Sequence, residues 1–93
     1  MIKSFGDKET EKLYITGISK KYPQSIIKTA VRKLDYLNAA KNINDLKIPP
    51  GNRLEKLSGM LKGMYSIRIN KKFRIIFNFQ NSLATNVQIV DYH

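Results

Sequence analysis

The feature that most constrains this chain is a change of hydrophobic period near Met64. Before that point apolar residues recur at helical spacing; after it they alternate. In Tyr65-Ser66-Ile67-Arg68-Ile69-Asn70 the odd positions are apolar and the even ones polar. Phe73-Arg74-Ile75-Ile76-Phe77-Asn78-Phe79 again places apolar residues at odd positions, and Val87-Gln88-Ile89-Val90-Asp91-Tyr92-His93 is a third such run. Lys71-Lys72 and Gln80-Asn81-Ser82 are the polar turns between them. Consecutive strands with short turns predict an antiparallel meander.

The first half reads as helices. Met1-Ile2-Lys3-Ser4-Phe5 alternates like a short strand, and Gly6-Asp7 breaks it. Asp7 is a good N-cap for a helix running to Thr16, with Glu9 and Glu11 favourable to its dipole and Gly17 a natural stop. Pro23 suits the first position of a second helix, whose apolar stripe is Ile26, Ile27, Ala30, Val31, Leu34 and Leu37. Lys28, Arg32, Lys33 and Asp35 fall on its other, solvated face. Residues 42–47 allow one more helical turn around Leu46, and Ile48-Pro49-Pro50-Gly51 must then be extended. The expected fold is therefore α+β. An antiparallel sheet, made of a short N-terminal strand and the C-terminal three-stranded meander, carries two N-terminal helices on one face. At 93 residues the chain has room for one domain, 1–93.

Composition removes several chemistries. Cysteine is absent and there is one histidine, so no disulfide framework, thiol nucleophile or His-rich metal site is expected. No apolar run approaches the roughly 20 residues of a membrane span. Met1 to Gly6 lacks the features of a secretory signal, so the default location is the cytoplasm.

Charge is the positive clue. Lys and Arg number 17 against 7 Asp and Glu, a net charge of +10 that biases the partner toward a polyanion. The half from Lys47 to His93 holds 8 basic and 2 acidic residues, and 3 of the 4 arginines. Strand parity puts Arg68 and Arg74 on the sheet face away from the helices, with Ile76 and Asn78 near them and Gln88, Val90 and Tyr92 on the last strand. Arg53, Lys56 and Lys62 come from the segment after Gly51, and Lys71 and Lys72 from the turn. Such a face can grip a phosphate backbone and stack a base; it can equally be a solvated outer face. RNA can be cut without metal when its own 2′-hydroxyl attacks the adjacent phosphate. Glu55, Asp91 or His93 could then move protons while Lys56, Arg68 and Arg74 hold the phosphorane.

One ordered series of residues is more specific. Pro49-Pro50-Gly51-Asn52-Arg53-Leu54-Glu55-Lys56-Leu57-Ser58-Gly59, Tyr65-Ser66-Ile67-Arg68-Ile69-Asn70, Phe73-Arg74-Ile75 and Ile89-Val90-Asp91-Tyr92-His93, with the opening Ile2-Lys3-Ser4-Phe5, closely resemble the HigB (plasmid-maintenance killer) toxins of the RelE superfamily. The resemblance covers almost the whole chain. It implies a type II toxin with the RelE-like fold that needs no cofactor or metal. Such a toxin is a ribosome-dependent endoribonuclease that cuts mRNA in the A site and halts translation. The implied partner is a HigA-type helix-turn-helix antitoxin, through which the complex reaches its promoter DNA.

By position, Arg74 matches the family's phosphate-binding arginine, and Asp91, Tyr92 and His93 its C-terminal catalytic cluster. Glu55 stands where some members have a catalytic histidine. In Gly59-Met60-Leu61-Lys62-Gly63 the arginine many members carry between the glycines is absent, and Lys62 supplies charge without the bidentate geometry. The alternative implied by these departures is a toxin-fold protein that binds RNA or the ribosome with weak or no cleavage, acting mainly in an antitoxin complex on its own promoter.

Overall fold

The structure, a computed structural model, describes residues 1–91. Helix α1 spans Lys8–Thr16. Its N-cap Asp7 accepts a hydrogen bond from the Thr10 amide at 2.7 Å, and Gly17 closes it in the left-handed conformation at φ 73°. Helix α2 spans Gln24–Ala39, with Pro23 at the N-cap, one residue before its expected place. A 3-10 turn covers Ile43–Lys47 with Leu46 buried, as the spacing predicted.

The sheet has four strands in the order β1-β2-β3-β4, all neighbours antiparallel: β1 Glu55–Lys56, β2 Met64–Arg68, β3 Phe73–Gln80 and β4 Leu83–Asp91. The meander is present, and it gains the two-residue β1 at one edge. No alternating pattern announces so short a strand. At the other edge the N-terminal segment makes isolated bridges, Ile2 to Ala84 and Phe5 to Val87, that run parallel to β4.

Strand β4 begins earlier than the alternation suggested. Asn81 and Ser82 both have positive φ, 54° and 64°, the geometry of a two-residue hairpin that starts β4 at Leu83. The ladder then slips: Ile76 pairs with Gln88 but Asn78 with Thr85, so β4 carries one extra residue. Asn86, at φ 53°, lies in this bulge, and it resets the parity so that both Ala84 and Val87 face the core.

The core lies between the helices and the odd-numbered face of β2 and β3. Leu13, Leu34, Leu37, Ile67, Ile75, Phe77 and Val87 are fully buried there. The buried Thr10 hydroxyl of α1 accepts from the Ile89 amide at 3.0 Å, which fastens the last part of β4 to the helix layer. Two assignments from the sequence are corrected here. Lys33, placed on the solvated face of α2, is buried on its core-facing stripe. The even face of the sheet is not wholly open either: Ser66, Arg74 and Ile76 are buried, and the bend before β1 reaches over Arg74 through the Arg53 carbonyl, while Arg68, Asn78, Gln88 and Val90 are partly exposed.

Candidate active site

The covering segment is built by one asparagine. Asn52 is fully buried, and its amide donates to the carbonyls of Leu46 at 3.1 Å and Ile48 at 3.4 Å, clamping the Pro49-Pro50-Gly51 bend. The next residue, Arg53, takes a left-handed conformation at φ 45°. That is uncommon for a non-glycine residue, and it turns the Arg53 carbonyl toward β3. Arg74 Nη2 donates to that carbonyl at 2.7 Å, and Arg74 Nε donates to Ser66 Oγ at 2.9 Å. Its Nη1 lies 3.9 Å from Glu55 Oε1 on β1. Arg74 is thus held in one orientation by groups from β1, β2 and the bend before β1, with its side chain only 8% exposed.

Around it lies an open concavity of about 270 Å³, lined by Arg53, Glu55, Arg68, Asn70, Lys71 and Arg74. Arg68 and Arg74 are directly opposed in the β2–β3 register. The turn between those strands is shaped by Asn70, whose Oδ1 accepts from the amides of Lys72 and Phe73, both at 2.8 Å. Four cations and one carboxylate line this space, so it has the charge to hold an anion and a group able to accept a proton.

The sequence placed more residues here than the fold brings together. Lys56 is exposed on β1 and Lys62 follows the 3-10 turn Gly59–Leu61; neither lines the concavity. Lys72 and Asp91 lie elsewhere. Their side chains pair at 3.6 Å and line a second, larger concavity of about 690 Å³ with Asp7, Lys21, Tyr22 and Phe73, toward the helix layer. Tyr92 and His93, expected in the catalytic cluster, lie outside the described residues. Conversely, two contributors and one buried charge were missed. Ser66 has the same strand parity as Arg68 and Arg74 and could have been placed by it. Asn70 belongs to a turn type that parity does not reveal. Lys33 gave no signal, since a lysine in a helix is ordinarily solvated. Its ammonium is held below the usual lysine range by burial, and then by the positive charges of Arg32, Arg68 and Arg74.

Two helices, a four-stranded antiparallel sheet and an arginine-lined concavity beside its β1 edge define a RelE-like α+β domain. Comparison with known proteins carries this to a family. The family model described as the RelE-like toxin of type II toxin–antitoxin system HigB matches residues 3–93. The chain is 43% identical over 90 residues to Toxin HigB-1 of Vibrio cholerae serotype O1, covering 96% of this chain and 95% of that protein. It is 30% identical over 93 residues to Endoribonuclease HigB of Proteus vulgaris, with both chains covered in full. Its fold also matches a chain of the heterotetrameric YoeB–YefM toxin–antitoxin complex from Staphylococcus aureus, with a TM-score of 0.61, 24% identity and 100% and 98% of the two chains covered. The protein belongs to the HigB-like family of type II toxins. Among the described residues no helix is long and apolar enough to cross a membrane.

Proposed function

We propose that this toxin is an endoribonuclease that cuts mRNA in the ribosomal A site, without a metal, and that the Arg53–Glu55–Arg68–Arg74 concavity is where the scissile phosphate sits. The reading is supported by the name of the Proteus vulgaris relative. It is carried by one observation: a carboxylate, Glu55, held 3.9 Å from the most firmly oriented cation, Arg74. In the proposed reaction the 2′-oxygen of the RNA attacks the adjacent phosphorus and gives its proton to Glu55. Arg74 and Arg68 stabilise the charge gathered on the phosphorane oxygens. The bond to the 5′-oxygen then breaks, and that oxygen leaves with a proton from His93 or Tyr92 of the C-terminal cluster, with Asp91 acting only from the rim. The products are a 2′,3′-cyclic phosphate and a 5′-hydroxyl end. Lys56, Lys62, Lys71 and Lys72 contribute to holding the backbone.

Ribosome dependence follows from the site's economy. With few strong acid–base groups, the protein relies on a substrate already bent for in-line attack. The experiment incubates the protein with mRNA on assembled ribosomes and with the same RNA free at physiological salt. New 5′-hydroxyl ends on the ribosome and an intact free strand are expected; efficient cutting of the free strand contradicts ribosome dependence. Within the same reading, the protein works in the cytoplasm and a HigA-type helix-turn-helix antitoxin neutralises it and links it to promoter DNA. One observation favours the weaker alternative of binding without cutting: Arg74 already spends donors on Ser66 and Arg53. Growth arrest without 5′-hydroxyl ends would select it.

A further inference from the structure

Strand β3 carries a second polar position on the face that holds Arg74. Phe77 and Phe79 turn toward the helices, so Asn78 between them shares the parity of Arg74. Four residues separate the two, about 13 Å along the strand. Around Asn78 lies a further open concavity of about 270 Å³, whose lining includes Lys3, Gly63, Gln80, Leu83 and Thr85. It holds a cation and no acid.

The fold shapes this concavity from three sides. Thr85 stands opposite Asn78 in the β3–β4 register. Gly63, at φ 94°, has the left-handed geometry that favours glycine, and a Cβ there would meet only open space. No side chain therefore fills the concavity from that position. The β4 bulge supplies the third element: Asn86 Nδ2 donates to Asn78 Oδ1 at 3.0 Å. In turn Asn78 Nδ2 donates to the Gly63 carbonyl at 3.4 Å. A carbonyl can only accept, so the Asn78 amide has one orientation. Such an amide offers two N–H donors and two acceptor lone pairs, and each of these contacts uses one. One donor and one acceptor remain, on a half-buried side chain that lines the concavity. Neighbouring donor and acceptor groups match the edge of a nucleobase, as when asparagine pairs with adenine.

We propose that Asn78 is a specificity-determining residue that reads one base of the RNA, away from the scissile phosphate at Arg74. This rests on the reading of the Arg74 concavity as an RNA phosphate site. The single strand runs along the even face of β3. Arg68, Arg74 and exposed Lys3 hold its phosphates and set the register, and the Asn78 amide selects the base.

The experiment gives assembled ribosomes an mRNA pool randomised around the A-site codon and maps the new 5′-hydroxyl ends. Wild type should favour one base about tenfold at a position beyond the nucleotides flanking the cut, the scale of one bidentate base contact. Asn78→Leu keeps the volume and removes the amide, so that position should flatten to about twofold or less, while the flanking nucleotides keep their preference. Asn78→Ser, a smaller change, should flatten the same position. An asparagine kept only to tie the strands together would lower the melting point and cutting of all sequences alike. Lys3→Ala supplies a second readout, with a 2′-O-methyl RNA that cannot be cut followed by fluorescence anisotropy. Its log affinity should fall less steeply with log salt, by about one unit charge's worth. A wild type without preference beyond the flanking nucleotides, variants that keep it, or an unchanged salt slope overturns the inference and leaves the cleavage reading standing. A wild type that makes no 5′-hydroxyl ends on ribosomes overturns the cleavage reading and this inference with it.

Discussion

Phe73 and Arg74 are neighbours on β3, hidden from solvent to nearly the same degree, 9% and 6% exposed, and buried by opposite physics. Phe73 faces the helices. Its ring meets Tyr22 edge-on at 6.1 Å between centroids and 84° between planes, and the Lys72 ammonium lies 5.6 Å above it. Arg74 faces the other way and is buried by hydrogen bonds to Ser66 and to the Arg53 carbonyl, 21 residues distant in sequence. The concavity on the Phe73 side is the larger and holds acids as well as bases, Asp7 and Asp91 against Lys21 and Lys72. The one on the Arg74 side is smaller and cationic. Volume alone favours the Phe73 side of the strand; the fixed charge favours the Arg74 side.

The comparison breaks most sharply at the pair itself. Phe73→Ala removes a buried ring and leaves a cavity, so it should cost about 3–5 kcal/mol of stability. That is a large share of the roughly 5–15 kcal/mol available to a small domain. Urea denaturation measures it, and a loss below about 1 kcal/mol would show that the Tyr22–Phe73 contact is not part of the core. For Arg74→Ala two effects are expected together. Cleavage on ribosomes should fall about 10²–10³-fold, as when an oxyanion donor is lost. Stability should also fall, by about 1–3 kcal/mol, because Ser66 and the Arg53 carbonyl lose their donor in a buried place. An unchanged urea midpoint would mean that Arg74 is not structural. Arg74→Lys sharpens the point: it keeps the charge but lacks the planar fork that reaches both acceptors at once.

The contrast also explains what was legible in the sequence. The helix-facing half was readable because burial there is encoded in residue type. The alternation in β2 and β3 selected Ile67, Ile75 and Phe77, and the spacing in α2 selected Ile26, Ala30, Leu34 and Leu37. Asp7 and Gly17 named the ends of α1 because cap chemistry is local. The other face was misread as fully open, because what reaches over Arg74 is a bend whose apolar pattern is short and whose shape depends on Asn52. The strand start at Leu83 was missed for a related reason: the bulge at Asn86 breaks the very parity used to find strands. The family resemblance and the charge pattern named Arg53, Glu55, Arg68, Lys71 and Arg74 among the candidate residues, and these five line one concavity. Neither could show that Lys72 and Asp91 pair on the far side, or that Lys33 lies inside.

Glu55→Gln tests the division of labour within the cationic concavity. The Glu55 carboxylate is 51% exposed and its ion pair with Arg74 is long, at 3.9 Å. Its contribution to stability should therefore be within about 1 kcal/mol. As the proposed base its loss should still lower ribosomal cleavage about 10²-fold or more. A glutamine variant that cuts normally removes Glu55 from the chemistry and leaves it as a tether for Arg74.

The smallest expected effect decides whether the two concavities are one site. Lys72 pairs with Asp91 at 3.6 Å, with side chains 59% and 44% exposed. Exposed pairs of this kind contribute roughly 0–1 kcal/mol, so Lys72→Ala should hardly change the urea midpoint. Its effect on RNA binding should be that of one peripheral phosphate contact. The salt dependence of log affinity should become shallower by about one unit charge's worth, without loss of cleavage chemistry. Arg68→Ala removes a cation directly opposite Arg74, and it should reduce both affinity and the rate of cutting on the ribosome. The measurement is the two variants side by side, in affinity across a salt series and in turnover at saturating ribosomes. If Lys72→Ala lowers turnover as much as Arg68→Ala does, the Lys72–Asp91 side takes part in the reaction. The RNA must then wrap around the end of the sheet at Phe73 and Arg74 and engage both faces. If turnover is untouched, the chemistry stays on the Arg74 face, and Asp91 serves it only from the rim.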